Sequence, residues 1–240
     1  MKITTPLKLA LALIVTGAAS LLQAETVTIS STDSVYIRAE VNRNADEFML
    51  VGQTTTQSDY LRGLFTFDLS STGVDFSAVT INSVTITLTV GRGDASSLNS
   101  DVTLNLYNLT QDYTASSTTW SKATSSENWT TPGGTYDPAV VANVAANPTT
   151  VTAGETITLS STALNDLVAN SDGSVDFLLK LATENASVRE IFFFGRGGAT
   201  EYAAPSITVN YTIPEASNLG LLGGILLLAI LLGKQRFRRQ

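Results

Sequence analysis

Trp120 and Trp129 are the only tryptophans of the chain, and they stand close together in a Ser/Thr-rich stretch, with Tyr136 shortly after. Aromatic rings grouped in this way suit a sugar-binding surface. Pyranose C–H bonds pack on a π face, and neighbouring polar groups take the hydroxyls. Pro132, Gly133 and Gly134 fall between the rings and predict a long loop. Trp129 and Tyr136 are the residues expected to face a carbohydrate. Trp120, in the run Thr118-Thr119-Trp120-Ser121, is also a candidate, but its expected place is a plug at one end of the core.

A second kind of chemistry would come from carboxylates. Glu40, Asp46 and Glu47 cluster, with Asp33 close in sequence. Ca²⁺ takes six to eight oxygen ligands from such loops, but no EF-hand spacing is present. Solvated acids on an acidic surface are the preferred reading, with no metal site and no cofactor expected and Ca²⁺ kept as an alternative. Asp68 closes a strand and is expected to cap the following turn.

The chain has no histidine and no cysteine. That removes the commonest general base, the commonest zinc ligand and every thiolate or disulfide. Catalysis would have to use paired carboxylates, or Tyr, Lys and Arg in lyase fashion. No Gly-x-Ser-x-Gly motif is present. The expectation is a non-enzyme, with a small polysaccharide lyase or hydrolase as the alternative. Arg92-Gly93-Asp94 is read simply as a Gly-containing turn after a strand.

The formal net charge is −7. Six of the 14 basic residues and one of the 21 acids lie in the terminal segments, which leaves eight bases against twenty acids between them. So acidic a surface repels nucleic acid and favours solubility.

Both ends are apolar runs flanked by basic residues. Residues 1–24 read as a secretory signal peptide: Lys2 and Lys8, an apolar run from Leu7 to Val15, then Gly17-Ala18-Ala19-Ser20. Cleavage is expected between Ala24 and Glu25, with Ala19 as the fallback site because Leu22 is large for the position three before the cut. At the other end, Ile213-Pro214-Glu215-Ala216-Ser217 precedes an apolar segment, and a transmembrane helix is expected over about residues 218–233. Its core, Leu219 to Leu232, would be roughly 21 Å long at ~1.5 Å per residue, short for a hydrocarbon core of ~30 Å but able to span with its flanks. Lys234, Arg236, Arg238 and Arg239 form a basic tail over 234–240 that would stay in the cytoplasm. The order Pro-Glu, short apolar helix, Arg-rich end resembles the PEP-CTERM sorting signal of Gram-negative bacteria, here with Ala216 where a second Pro is usual. The resemblance implies a motif at Pro214, Glu215 and Ala216. It also implies an exosortase-type enzyme and the secretion machinery as partners, and at least transient residence in the inner membrane.

Between the ends the pattern alternates at period two, most cleanly where Val84, Ile86, Leu88 and Val90 interleave with polar residues. Further strands are expected near Thr26–Ile29, Ser34–Arg38, Glu47–Val51, Leu61–Leu69, Asp101–Tyr107, Glu155–Leu159, Val175–Leu181, Arg189–Phe194 and Ser206–Tyr211. One short helix, capped by Ser160 or Ser161, should carry Ala163, Leu164, Leu167 and Val168 and end near Asn170. The fold class expected is all-β, an antiparallel β-sandwich of jelly-roll type with one short helix.

Taken in order, several segments resemble the DNRLRE-type secreted domain, which overlaps a family of polysaccharide-binding modules. They are Asp33–Arg38, Leu50-Val51-Gly52, Arg62–Ser70, the Thr118–Ser121 stretch, Leu159–Ala169, Phe177–Lys180 and Pro205–Tyr211. The resemblance covers the expected domain, residues 25–212, with the sorting signal at 213–240. It implies a jelly roll in a cell-surface or extracellular-matrix setting and the binding of acidic or neutral extracellular polysaccharide; that the protein does not cleave it is expected from the missing catalytic motifs. A purely structural matrix protein is the further alternative.

Overall fold

The computed structural model describes residues 23–38, 46–55, 60–184, 188–196 and 201–214. Glu25–Tyr211 forms one compact unit. The second unit comprises Met1–Ala24 and Thr212–Gln240, and few of its residues are described. The expected signal peptide core, Glu215, Ala216, the 218–233 helix and Lys234, Arg236, Arg238 and Arg239 all lie outside the described residues. Among the described residues no helix is long and apolar enough to cross a membrane.

Eleven strands are described. They are β1 (Ala24–Ser30), β2 (Asp33–Ile37), β3 (Met49–Gln53), β4 (Tyr60–Asp68), β5 (Thr80–Arg92), β6 (Val102–Leu109), β7 (Tyr136–Ala146), β8 (Thr156–Ser160), β9 (Ser174–Leu181), β10 (Glu190–Phe194) and β11 (Ser206–Thr212). Helix α1 spans Thr162–Ala169. Ala24 and Glu25, the expected cleavage pair, open β1.

The hydrogen-bonded order is β1-β11-β5-β10-β3-β4-β9-β6-β7, with β2 added to β4 and β8 to β5. The pairings of β3 with β4 and β10, of β5 with β8 and β10, of β9 with β4 and β6, of β6 with β7 and of β2 with β4 are antiparallel. The antiparallel, β-rich architecture with one short helix follows the sequence pattern. The strands form one continuous, curled sheet, because β3 and β10 bridge what would be separate layers.

Alternation explains the main core. Val84, Ile86, Leu88 and Val90 of β5 point inward with Ile157, Leu159, Ile207 and Val209. Phe65, Phe67, Phe177 and Leu106 reach the same core from β4, β9 and β6. Each such side chain contributes about 1.5–3 kcal/mol by burial. The outward positions of β5 and β8 are hydroxyl pairs, Thr85 with Ser160, Thr87 with Thr158 and Thr89 with Thr156, as β-branched polar residues favour. Helix α1 begins at Ser161, whose side chain accepts from the Leu164 amide at 2.9 Å, and it buries Leu164 and Val168.

Strands β2, β4 and β9 depart from simple alternation, because both of their faces are buried. Val35, Ile37, Leu64 and Leu178 face away from the main core into a second, smaller one. The segment after β6 folds back to cover them, bringing Ala115, Ala123 and Trp129. Its turns are tied by Thr114 N–H to Ala123 O (3.0 Å), Trp129 N–H to Ser121 O (2.9 Å) and Gly133 N–H to Trp120 O (2.6 Å). The expected long loop is therefore a structured cover.

Gly52 shows how closely the strands meet. Its φ is +145°, and a Cβ there would lie 1.9 Å from the carbonyl oxygen of Glu190 on β10. Only glycine fits such an approach.

Candidate functional site

The outward face of β7, β6, β9 and β4 carries a ribbon of aromatic and charged side chains. At one end the rings of Tyr136 and Tyr107 stand 4.7 Å apart. Lys180 Nζ lies 5.8 Å from the Tyr107 ring and donates to Glu184 Oε2 at 3.1 Å. Arg62 donates from Nε to Glu184 Oε1 at 2.9 Å and from Nη2 to Glu184 Oε2 at 2.8 Å. Its Nη1 donates to the Gly133 carbonyl at 2.7 Å. The guanidinium carbon lies 4.7 Å from the Trp120 ring centre, and Trp120 in turn sits 6.3 Å from Tyr60.

The sequence builds this ribbon locally. Arg62 and Lys180 stand on the same faces of β4 and β9 as the buried Leu64 and Leu178, and their heads converge on Glu184. Gly133 has φ +87°, and a Cβ there would press on both Arg62 and Trp120. Burial pushes the Glu184 carboxyl up. The hydrogen bonds and charge of Arg62, together with Lys180, outweigh this and hold it below the usual carboxylate range. Two cations facing one carboxylate leave the cluster net positive on an acidic protein. Trp120, Tyr60 and Tyr136 are each half-buried, so their rings remain partly open to solvent.

The two tryptophans exchange the places expected of them. Trp129 is 4% exposed and sits in the second core. Its indole N–H donates to Thr119 O at 2.9 Å, so it offers no face to a ligand. Trp120 is the half-buried ring at the surface. Tyr136 opens β7 instead of lying in a loop. That strand was not legible, because Asp137-Pro138 and the alanines that follow have low strand propensity.

Arg62, Lys180, Glu184, Tyr60 and Tyr107 were missed by sequence reasoning. The available signal was a lone cation inside each of two strongly apolar strands, a position such residues rarely take unless paired.

A second polar group lies on β4 and β9. Thr66 Oγ1 donates to Asp176 Oδ1, and the Tyr113 hydroxyl lies 3.2 Å from Thr66 Oγ1. Burial raises the Asp176 carboxyl, against the hydrogen bond from Thr66. Burial also raises the Tyr113 phenol, which keeps its proton.

Asp46 accepts from the Tyr36 hydroxyl at 2.5 Å. Asp33 and Glu47 are exposed, and Glu40 lies outside the described residues. No group of three acids that could hold a metal converges among the described residues. Asp68 accepts from Ser70 Oγ at 2.5 Å and from Ser71 N–H at 3.3 Å, capping the turn at Ser70–Thr72. Asp94 of the Arg-Gly-Asp run pairs with Arg189 at 2.9 Å.

No protein-family model and no curated protein matches the chain.

Proposed function

We propose that this is an exported, non-catalytic cell-surface or extracellular-matrix protein that binds polysaccharide across the ribbon from Tyr136 to Tyr60. The carrying observation is that three partly open rings, Tyr136 on β7, Tyr60 on β4 and Trp120 on the cover, surround a buried group of Tyr107, Lys180 and Arg62. Sugar rings stack on the partly open faces of Trp120, Tyr60 and Tyr136, while the enclosed Arg62–Glu184–Lys180 group holds those rings in place and lends the patch its positive charge. A net positive cluster on an acidic surface suits an acidic or neutral glycan and fixes its register.

On this reading the domain is a jelly roll of the DNRLRE type. Residues 1–24 direct export through the secretion machinery. Pro214, Glu215 and Ala216 with the following apolar helix and basic tail engage an exosortase-type enzyme at the inner membrane. Support for export lies in the sequence: two apolar segments of opposite placement, with the arginines at the far end.

The test is a glycan array probed with residues 25–213 and with their Trp120→Ala variant. Retention on defined polysaccharides, lost in the variant, is expected. Release of reducing ends or unsaturated sugars would overturn the non-catalytic reading.

A further inference from the structure

A cleft of about 400 Å³ opens beside the ends of β10, β3, β6 and β9. Its lining is about half apolar and half polar: Leu98, Val102 and Val188 are met by Gln53, Thr103 and Thr183. Two carboxyl groups line it, Asp101 and Glu190. Glu190 is 8% exposed. It faces Gln53 across the β10–β3 pair, and Gln53 Nε2 donates to its Oε2 at 3.2 Å. Oε1 has no hydrogen-bond partner among the described residues. The neighbouring cation is engaged elsewhere, because Arg189 Nη2 holds Asp94 at 2.9 Å.

A carboxyl this enclosed, with no counter-cation on it, costs more to seat at a strand end than a neutral amide of the same shape. Burial accordingly pushes the Glu190 carboxyl up. The cleft wall is also fixed before any ligand arrives. Ile191 N–H donates to Ser97 Oγ at 3.0 Å, and Leu98 N–H donates to the Arg189 carbonyl at 3.0 Å.

We infer that this cleft binds a small primary ammonium on a compact, partly apolar ring, the chemistry of a 2-amino sugar. The ammonium pairs with the open oxygen of Glu190, Asp101 supports it from the rim, and the ring's C–H faces lie on Leu98 and Val102. Two carboxyl groups, with no third acid converging on them among the described residues, are fewer anionic ligands than a calcium loop uses. They match one positive charge with three donors. The inference does not depend on the polysaccharide ribbon, which shares no lining residue with the cleft.

The experiment titrates residues 25–213 with glucosamine, N-acetylglucosamine and glucose near neutral pH, following backbone amide NMR signals. Saturable shifts at Asp101, Val102, Ala182 and Glu190 are expected with glucosamine alone, since acetylation removes the charge. Glu190→Gln should weaken glucosamine binding about thirtyfold or more, and Asp101→Asn by less, with both folds unchanged by the same spectra. No saturable shift with glucosamine, equal binding of N-acetylglucosamine, or undiminished binding by a folded Glu190→Gln variant would each overturn the inference. Glycan retention through Trp120 is read independently, so the two proposals fail separately.

Discussion

Arg62 and Glu184 meet as a bidentate pair, two guanidinium nitrogens on two carboxylate oxygens at 2.9 and 2.8 Å, with each side chain only 10% exposed. Removing the carboxylate leaves Arg62 and Lys180 enclosed without a counter-charge. Glu184→Gln should cost about 3 kcal/mol in urea unfolding. Glu184 titrates below its ordinary value in the folded state, so its contribution is full above about pH 4.3 and is lost as pH falls through the folded value. The stability gap between wild type and variant should therefore shrink on acidification. A gap that widened at low pH would contradict the pairing.

Trp129 anchors the cover over the outward face. Trp129→Ala should destabilise by about 3–5 kcal/mol through the cavity it leaves. Trp129→Phe removes the donor to the Thr119 carbonyl and should cost about 1–2 kcal/mol. Tryptophan fluorescence gives an independent check: the Phe variant, left with the half-buried Trp120, should emit to the red of the wild type and quench more readily with acrylamide.

Trp120→Ala should weaken polysaccharide binding about tenfold, as loss of one stacking platform does. Its effect on stability should be smaller than that of Trp129→Ala, because Trp120 is only partly enclosed. Affinity electrophoresis against the array hits, run beside thermal unfolding, separates the two effects. Equal binding by the variant would remove Trp120 from the site.

Glu190→Gln should stabilise the protein at neutral pH by about 1 kcal/mol, since the amide keeps a polar partner for Gln53 without burying charge. The folded-state value of Glu190 is raised, so below about pH 4 both states hold the proton and the variant gains little. As pH rises the unfolded wild type ionises first, and the gap opens toward pH 7. A denaturation series across that range would refute the assignment if the gap stayed constant. A stabilised variant that has lost glucosamine binding would mark a ligand site kept at a cost to stability.

Gly52→Ala drives a methyl into the Glu190 carbonyl at a backbone conformation closed to L-residues. The β3–β10 seam would have to open, and a loss of about 4 kcal/mol or more is expected. Circular dichroism of the purified variant decides this directly. A variant with native stability would mean that β3 and β10 do not meet as described.

Much of the fold could be read in the chain because strand alternation is local. Val84, Ile86, Leu88 and Val90 announce one buried face whatever lies opposite, and Ser161 followed by Leu164 and Val168 announces a capped amphipathic turn. The second core was harder to see. Leu64 and Phe65 are both apolar, and nothing in β4 says which side another segment will cover. For the same reason the tryptophans were misplaced. Trp120 stands between Thr119 and Ser121 and Trp129 between Asn128 and Thr130, small polar neighbours in both cases, and only the turn pattern of the cover puts one ring inside and the other at the surface.

The sequence by itself determined a β-rich acidic chain without histidine or cysteine chemistry, and which residues were aromatic, charged or turn-forming, because these follow from side-chain type and neighbours along the chain. The tertiary structure decided which of them meet. Arg62, Gly133 and Glu184 come from distant parts of the chain, and Gln53 faces Glu190 across two strands. Contacts of that kind are fixed by strand order and register, which depend on how the whole sheet closes and leave no mark on any single segment.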